Sequence, residues 1–259
     1  MPFPALTVSS RSVSSRSVST TGLAFTVAAI AAVLVLSGCT ASEAPAAVTS
    51  TPTVAASIAP TGDGTLLVGT LFPMTGEAGA VVTGAAQVAG TELAAREIQE
   101  QALPGTPPIQ LVHRNSTGNV AVAVADLVAR HVDLVLWDAT TAVPAEVAAS
   151  VAAAGIALLP LDGFTNGGTP LAADEAFAVR LRTSDPGLAD TAGGGEAFDG
   201  VVLAALAATE AGDDAGPSLT PALDRVSRGD TVCTSWASCI TALGEKKQIA
   251  YQGVTGRRS

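Results

Sequence analysis

Apolar and polar positions fall into regular runs from Leu66 onward. Leu66 to Phe72 (LLVGTLF) is a continuous apolar run stopped by Pro73, which predicts a buried strand. Beyond a loop over 73–81, Ala86, Ala89, Gly90, Leu93, Ala94 and Ile98 recur at helical spacing, with Glu92, Arg96 and Glu100 on the opposite face. Leu103-Pro104-Gly105 ends that helix. Ile109 to His113 predicts a second strand. Val120, Val124, Leu127 and Val128 predict a second helix, with Asn119 as its N-cap. Val132 to Trp137 predicts a third strand. Thr140 or Thr141 then caps a third helix whose first turn accepts Pro144, because those N–H groups lack intrahelical partners. Gly155 closes it as the residue just past the cap, and Ile156 to Leu161 is the fourth strand.

Continuously apolar strands alternating with helices predict an α/β fold, a parallel sheet flanked by helices on both faces. Ligands of such sheets bind beyond the carboxyl ends of the strands. That nominates the loops 73–79, 138–141 and 162–166. Thr140 and Thr141 place hydroxyls and free amides at a helix start, where a carboxylate would be stabilised. Capping of their own helix uses the same chemistry. Trp137, at a strand's carboxyl end, suits a pocket wall or core packing. Gly193-Gly194-Gly195 reads as a hinge into a later helix.

The first 64 residues have another character. Arg11 and Arg16 lie in a serine-rich stretch, Leu23 to Leu36 is apolar, and Leu36-Ser37-Gly38-Cys39 follows. That order predicts a secretory signal over 1–38, because the apolar run falls short of the about 20 residues a bilayer span needs. Residues 39–64 are small, polar and punctuated by Pro45, Pro52 and Pro60, and are expected to be a tether reaching roughly 25–30 Å. Outside the cytoplasm Cys233 and Cys239 are expected to pair as a disulfide. A metal site is disfavoured, since two thiolates need further ligands and the only histidines, His113 and His131, are distant in sequence.

Charge narrows the function. The chain's formal charge is −10, and losing Arg11 and Arg16 with the signal takes it to −12. An acidic surface with 3% aromatic residues argues against nucleic acid as a partner. No nucleophile elbow, phosphate-binding loop or base-supported histidine is present, so no catalytic residue, cofactor or metal is expected.

Leu67 to Gly76 (LVGTLFPMTG) followed by Gly90 to Ile98 (GTELAAREI) resembles the opening of type 1 periplasmic binding proteins, nearest to the branched-chain amino-acid receptors of ABC importers. The segment 109–137 follows the same pattern. Glu196 to Ala208 resembles the family's late helix. Cys233 to Cys239 with Ile249 to Gly256 is similar to the cysteine-bridged tail of lipid-anchored members. Leu36 to Cys39 resembles the lipobox, in which the thiol of Cys39 carries lipid.

The resemblance implies an extracytoplasmic receptor, lipid-anchored at the cell membrane, that takes a small solute (an amino acid or amide) and hands it to an ABC permease. It implies a ligand carboxylate at Ala139, Thr140 and Thr141, a border formed by Thr75 and Gly76, and Asp162 facing an ammonium. Two lobes of about 150 residues would need roughly 300, so the second lobe is expected to be incomplete. The first lobe is expected over 65–163, with residual second-lobe helices and a disulfide-bridged tail over 164–259. The alternative is a degenerate receptor-like lipoprotein that serves as a sensor or partner-binding module without transport.

Overall fold

The computed structural model describes residues 61–101, 103–171 and 174–259; the expected signal sequence, Cys39 and most of the expected tether lie outside the described residues. Four strands, β1 (Leu66–Phe72), β2 (Ile109–Asn115), β3 (Leu134–Trp137) and β4 (Ala157–Pro160), form one parallel sheet in the order β2-β1-β3-β4. Between them run α1 (Ala78–Gln101), α2 (Val120–Ala129) and α3 (Ala145–Ala153). The α/β fold is the one the periodicity predicts. β1 sits inside the sheet, which is why its run is apolar on both faces. Helix α1 starts at Ala78, eight residues before the first apolar position of the periodic pattern. Asn119 caps α2 by accepting from the Val122 N–H, and Gly155 follows α3 at φ 70°.

Each face of the sheet has its own apolar layer. Leu71, Val135 and Trp137 pack with Val124 and Leu127 of α2 and Val147 and Val151 of α3. The other face is larger. Leu66, Val68, Leu134, Leu136 and Leu159 pack with α1 and with helices from the back half of the chain. That half comprises α4 (Glu175–Ser184), α5 (Gly194–Ala211), α6 (Gly216–Arg228), β5 (Thr231–Cys233), α7 (Trp236–Gly244), β6 (Ile249–Gly253) and β7 (Gly256–Arg257). A second sheet has the order β5-β6-β7, with β5 and β6 parallel and β6 and β7 antiparallel.

The boundary expected at 163/164 divides no core. Phe177, Val201, Leu206, Leu219, Trp236 and Tyr251 share one cluster with Leu66 and Leu136, within a single compact unit. The helices assigned to a residual second lobe therefore cover the first sheet. Helix α5 is the reason: Gly194 through Ala208 are all buried, Glu196 and Asp199 included, and the run Val201–Ala208 is apolar on every face, so the helix needs cover on every side. It lies against α1 with no side chains between them where Gly90 meets Gly194; a Cβ on Gly90 would stand 2.1 Å from the Gly194 carbonyl oxygen.

Cys233 and Cys239 are bonded, with Cα atoms 5.2 Å apart, joining β5 to the first turns of α7. At the amino edge of the first sheet Asp133 fastens three strands. Its N–H donates to the Leu67 carbonyl (2.8 Å), its carboxylate accepts from the Leu67 N–H (2.8 Å), and its carbonyl accepts from the Ala157 N–H (2.9 Å).

Candidate functional site

The carboxyl ends of β1 to β4 carry two separate hydrogen-bond networks. The first joins the loops after β1 and β2. Asn115 accepts from the Met74 N–H (2.9 Å) and donates to the Thr75 hydroxyl (2.6 Å), while the Thr117 hydroxyl donates to the Thr75 carbonyl (2.7 Å). Gly76 follows at φ 112°, a conformation open to glycine and strained for other residues, with space around it. Thr75 and Gly76 thus stand on a loop fixed from below.

The second network centres on Asp138, which the sequence reading passed over. Its buried carboxylate accepts from Gln87 Nε2 (2.7 Å), the Thr140 hydroxyl (2.7 Å) and the Thr141 hydroxyl (2.9 Å). Gln87, itself fully buried, accepts from the Ala139 N–H (3.1 Å). The threonines do not cap α3, which begins at Ala145, four residues after Thr141, behind Pro144 and with no side-chain cap. An aspartate two and three residues ahead of hydroxyl donors forms a local turn more readily than a distant cap. That D-A-T-T spacing is the signal by which Asp138 could have been found.

This changes the chemistry expected of the loop. A carboxylate needs donors, yet the Ala139 N–H and both threonine hydroxyl protons are spent on internal acceptors. Asp138 also sets a like charge beneath the position. What the hydroxyls retain are lone pairs, which accept from an ammonium or amide N–H. Trp137 is 3% exposed, belongs to the core and donates its indole N–H to the Thr141 carbonyl (2.9 Å), so it props the loop from within the core. Asp162 is exposed on a short 3-10 turn, Leu161–Phe164, and shares no hydrogen bond with either network.

Two buried carboxylates lie on α5. Asp199 of α5 accepts from the Tyr251 hydroxyl (2.8 Å) and from the N–H groups of Val254 (3.0 Å) and Thr255 (2.8 Å), so it holds the β6–β7 turn. Burial pushes its carboxyl up in spite of these bonds. Glu196, one turn earlier, accepts from the Leu171 N–H, and burial raises it as well. Gly193 opens α5 at φ 88°, against Thr83 and Gln87, where a hinge was expected.

Histidine 113 on β2 bonds the Thr70 hydroxyl (2.9 Å) and stands 3.6 Å from Glu92; burial lowers its pKa. Among the described residues, no three His, Cys, Asp or Glu side chains are grouped to hold a metal ion, and no helix is long and apolar enough to cross a membrane. Three concavities, of about 560, 530 and 360 Å³, are lined by none of Thr75, Gly76, Trp137, Ala139, Thr140, Thr141 and Asp162.

No protein-family model matches the chain, and no curated protein matches it either. Among solved structures it is similar to the branched-chain amino acid transporter substrate binding protein LivJ from Streptococcus pneumoniae str. Canada MDR_19A, in complex with isoleucine. The match covers 75% of this chain and 91% of LivJ, with 14% sequence identity and a TM-score of 0.54. At that identity the likeness shows a shared fold: the chain has the fold of a type 1 periplasmic binding protein.

Proposed function

We propose that the chain is a solute-binding receptor of an ABC importer, held on the extracytoplasmic face of the cell membrane by lipid on Cys39. Its role is binding, with no catalytic step. The observation that carries this is the fold likeness to LivJ, a substrate binding protein solved with isoleucine. The lipobox-like Leu36 to Cys39 and the signal before it support the location. Thr75, Gly76, Thr140 and Thr141 border the ligand at the strand tips, with an amino acid or amide as the solute class. Its amine or amide N–H groups meet the threonine oxygens above Asp138, and a permease is the membrane partner.

A second reading has its own support. Of the donors proposed for a ligand carboxylate, the Ala139 N–H and both threonine hydroxyls are taken up by Gln87 and Asp138. That favours a receptor-like lipoprotein that senses or binds a partner without transport.

Thermal unfolding with and without amino acids separates the two. Ligand at 100 times its Kd adds about 2.7 kcal/mol, which for a domain of this size raises Tm by roughly 5–10 °C. Should isoleucine, leucine, valine, alanine and glutamine at millimolar concentration all leave Tm unmoved, the receptor assignment fails and the second reading stands.

A further inference from the structure

The largest of the three concavities lies at the far end of α1 from the strand-tip loops, where α5, α6 and α7 also end. Its volume is about 560 Å³. Its lining holds Arg225, Arg228, Lys246 and Lys247 against one carboxylate, Glu210. Lys246 and Lys247 are the only lysines in a chain of formal charge −10. Between these cations Ile240 and Leu243 are partly buried and Val226 fully so, giving an apolar floor.

Basic residues at helix ends also serve to offset the partial negative charge of the terminal carbonyls. That accounts for part of the group. Arg225 is held by Glu210 through two bonds (2.8 and 2.7 Å). Lys247 pairs with the exposed Glu245 (2.6 Å), and Arg228 stands 3.7 Å from Asp224. Lys246 makes no ion pair among the described residues. Arg225 and Arg228 stand in the last turn of α6, and Lys246 and Lys247 follow α7, so the recess gathers four cations against one lining carboxylate.

We propose that this concavity binds a small amphiphilic organic anion. Its carboxylate, sulfonate or phosphate meets Arg228, Lys246 and Lys247, and its apolar body rests on Ile240 and Leu243. Enclosure decides the class of ligand. Across Thr209, which borders both, the next concavity is lined by Asp213 and Asp214. Those two carboxylates are themselves buried, so the discrimination rests on the basic recess. Its volume of about 560 Å³ admits a small molecule whose charged end meets the cations while its body meets the apolar floor. A flat bilayer surface does not make those two contacts together. The site is independent of the solute site proposed at the strand tips.

The test uses residues 61–259, which contain both apolar layers found among the described residues and fall within one compact unit. 8-Anilinonaphthalene-1-sulfonate, an amphiphilic anion that brightens in apolar surroundings, is expected to bind saturably at one site and to weaken as salt is raised. Arg228→Glu with Lys246→Glu is expected to weaken it at least about tenfold, from the loss and reversal of two ion pairs, while Arg182→Glu on α4 changes it less than about twofold. Decanoate is expected to displace the probe, and inorganic phosphate, which has no apolar body, to do so poorly. Near-UV circular dichroism of each variant separates loss of the site from loss of the fold. The proposal is overturned if the double reversal, natively folded, binds the probe as the parent does. It is equally overturned if only phosphatidylglycerol vesicles, and no soluble amphiphile, are bound.

Discussion

Replacing Asp133 with asparagine tests the amino edge of the sheet quantitatively. The carboxyl of Asp133 is pushed from 3.8 to about 7, first by burial and then by Asp214, Asp63 and Asp213, against the opposing bond from the Leu67 N–H. Between about pH 4 and pH 7 the folded chain therefore keeps a proton that the unfolded chain has released. Stability from this group is present in full below about pH 4, falls as pH rises through the window, and is level above it. Asparagine keeps an oxygen for the Leu67 N–H and cannot ionise. A move from 3.8 to about 7 would convert to about 4 kcal/mol, but the side chain is only half-buried, and solvent screening reduces this to about 1–2 kcal/mol. Urea unfolding at about pH 4, 6 and 8 is the assay, with the midpoint read at constant slope. Asp133→Asn should match the parent at the lowest pH and exceed it by about 1–2 kcal/mol at the highest. A gap that stays constant across the three pH values refutes the reasoning, because only a proton can make it grow.

Two further changes probe the packing and the loop. Gly90→Ala forces the backbones of α1 and α5 apart and should lower the unfolding free energy by about 2–3 kcal/mol; an unchanged urea midpoint would mean that the helices do not touch there. Thr140→Val with Thr141→Val strips the buried Asp138 of two of its three donors and should cost about 2–4 kcal/mol; undiminished stability would mean that the hydroxyls point elsewhere.

The front of the fold was legible because its signals are local. The run Leu66–Phe72 has one apolar period and a proline stop, and it forms β1 over those same residues. Asn119 precedes a helical face and caps it. The back half was harder to place, since a helix announces its apolar faces and not the surface it will cover. α5 resembles a late receptor helix, and its unbroken apolar run Val201–Ala208 was the available clue that it would be enclosed. α6 escaped notice because Pro217 and Pro221 interrupt the usual helical composition, one at the tolerant first turn and one inside. At the site, the loops were found from topology, but the direction of the hydrogen bonds was not. Gln87 and Asp138 meet across 51 positions of chain, and no periodic pattern reports such a pair.

The enclosure of α5 governs when this chain can become a protein. Leu66, Leu134 and Leu159 emerge from the ribosome well before Val201 and Leu206, the residues that shield them. Until α5 has been synthesised, one side of the early sheet stays wet, and closing so long a loop is slow. A nascent polypeptide of this design keeps one face of its early strands pliable until Leu206 has been made, so the order of synthesis delays the closing of its core.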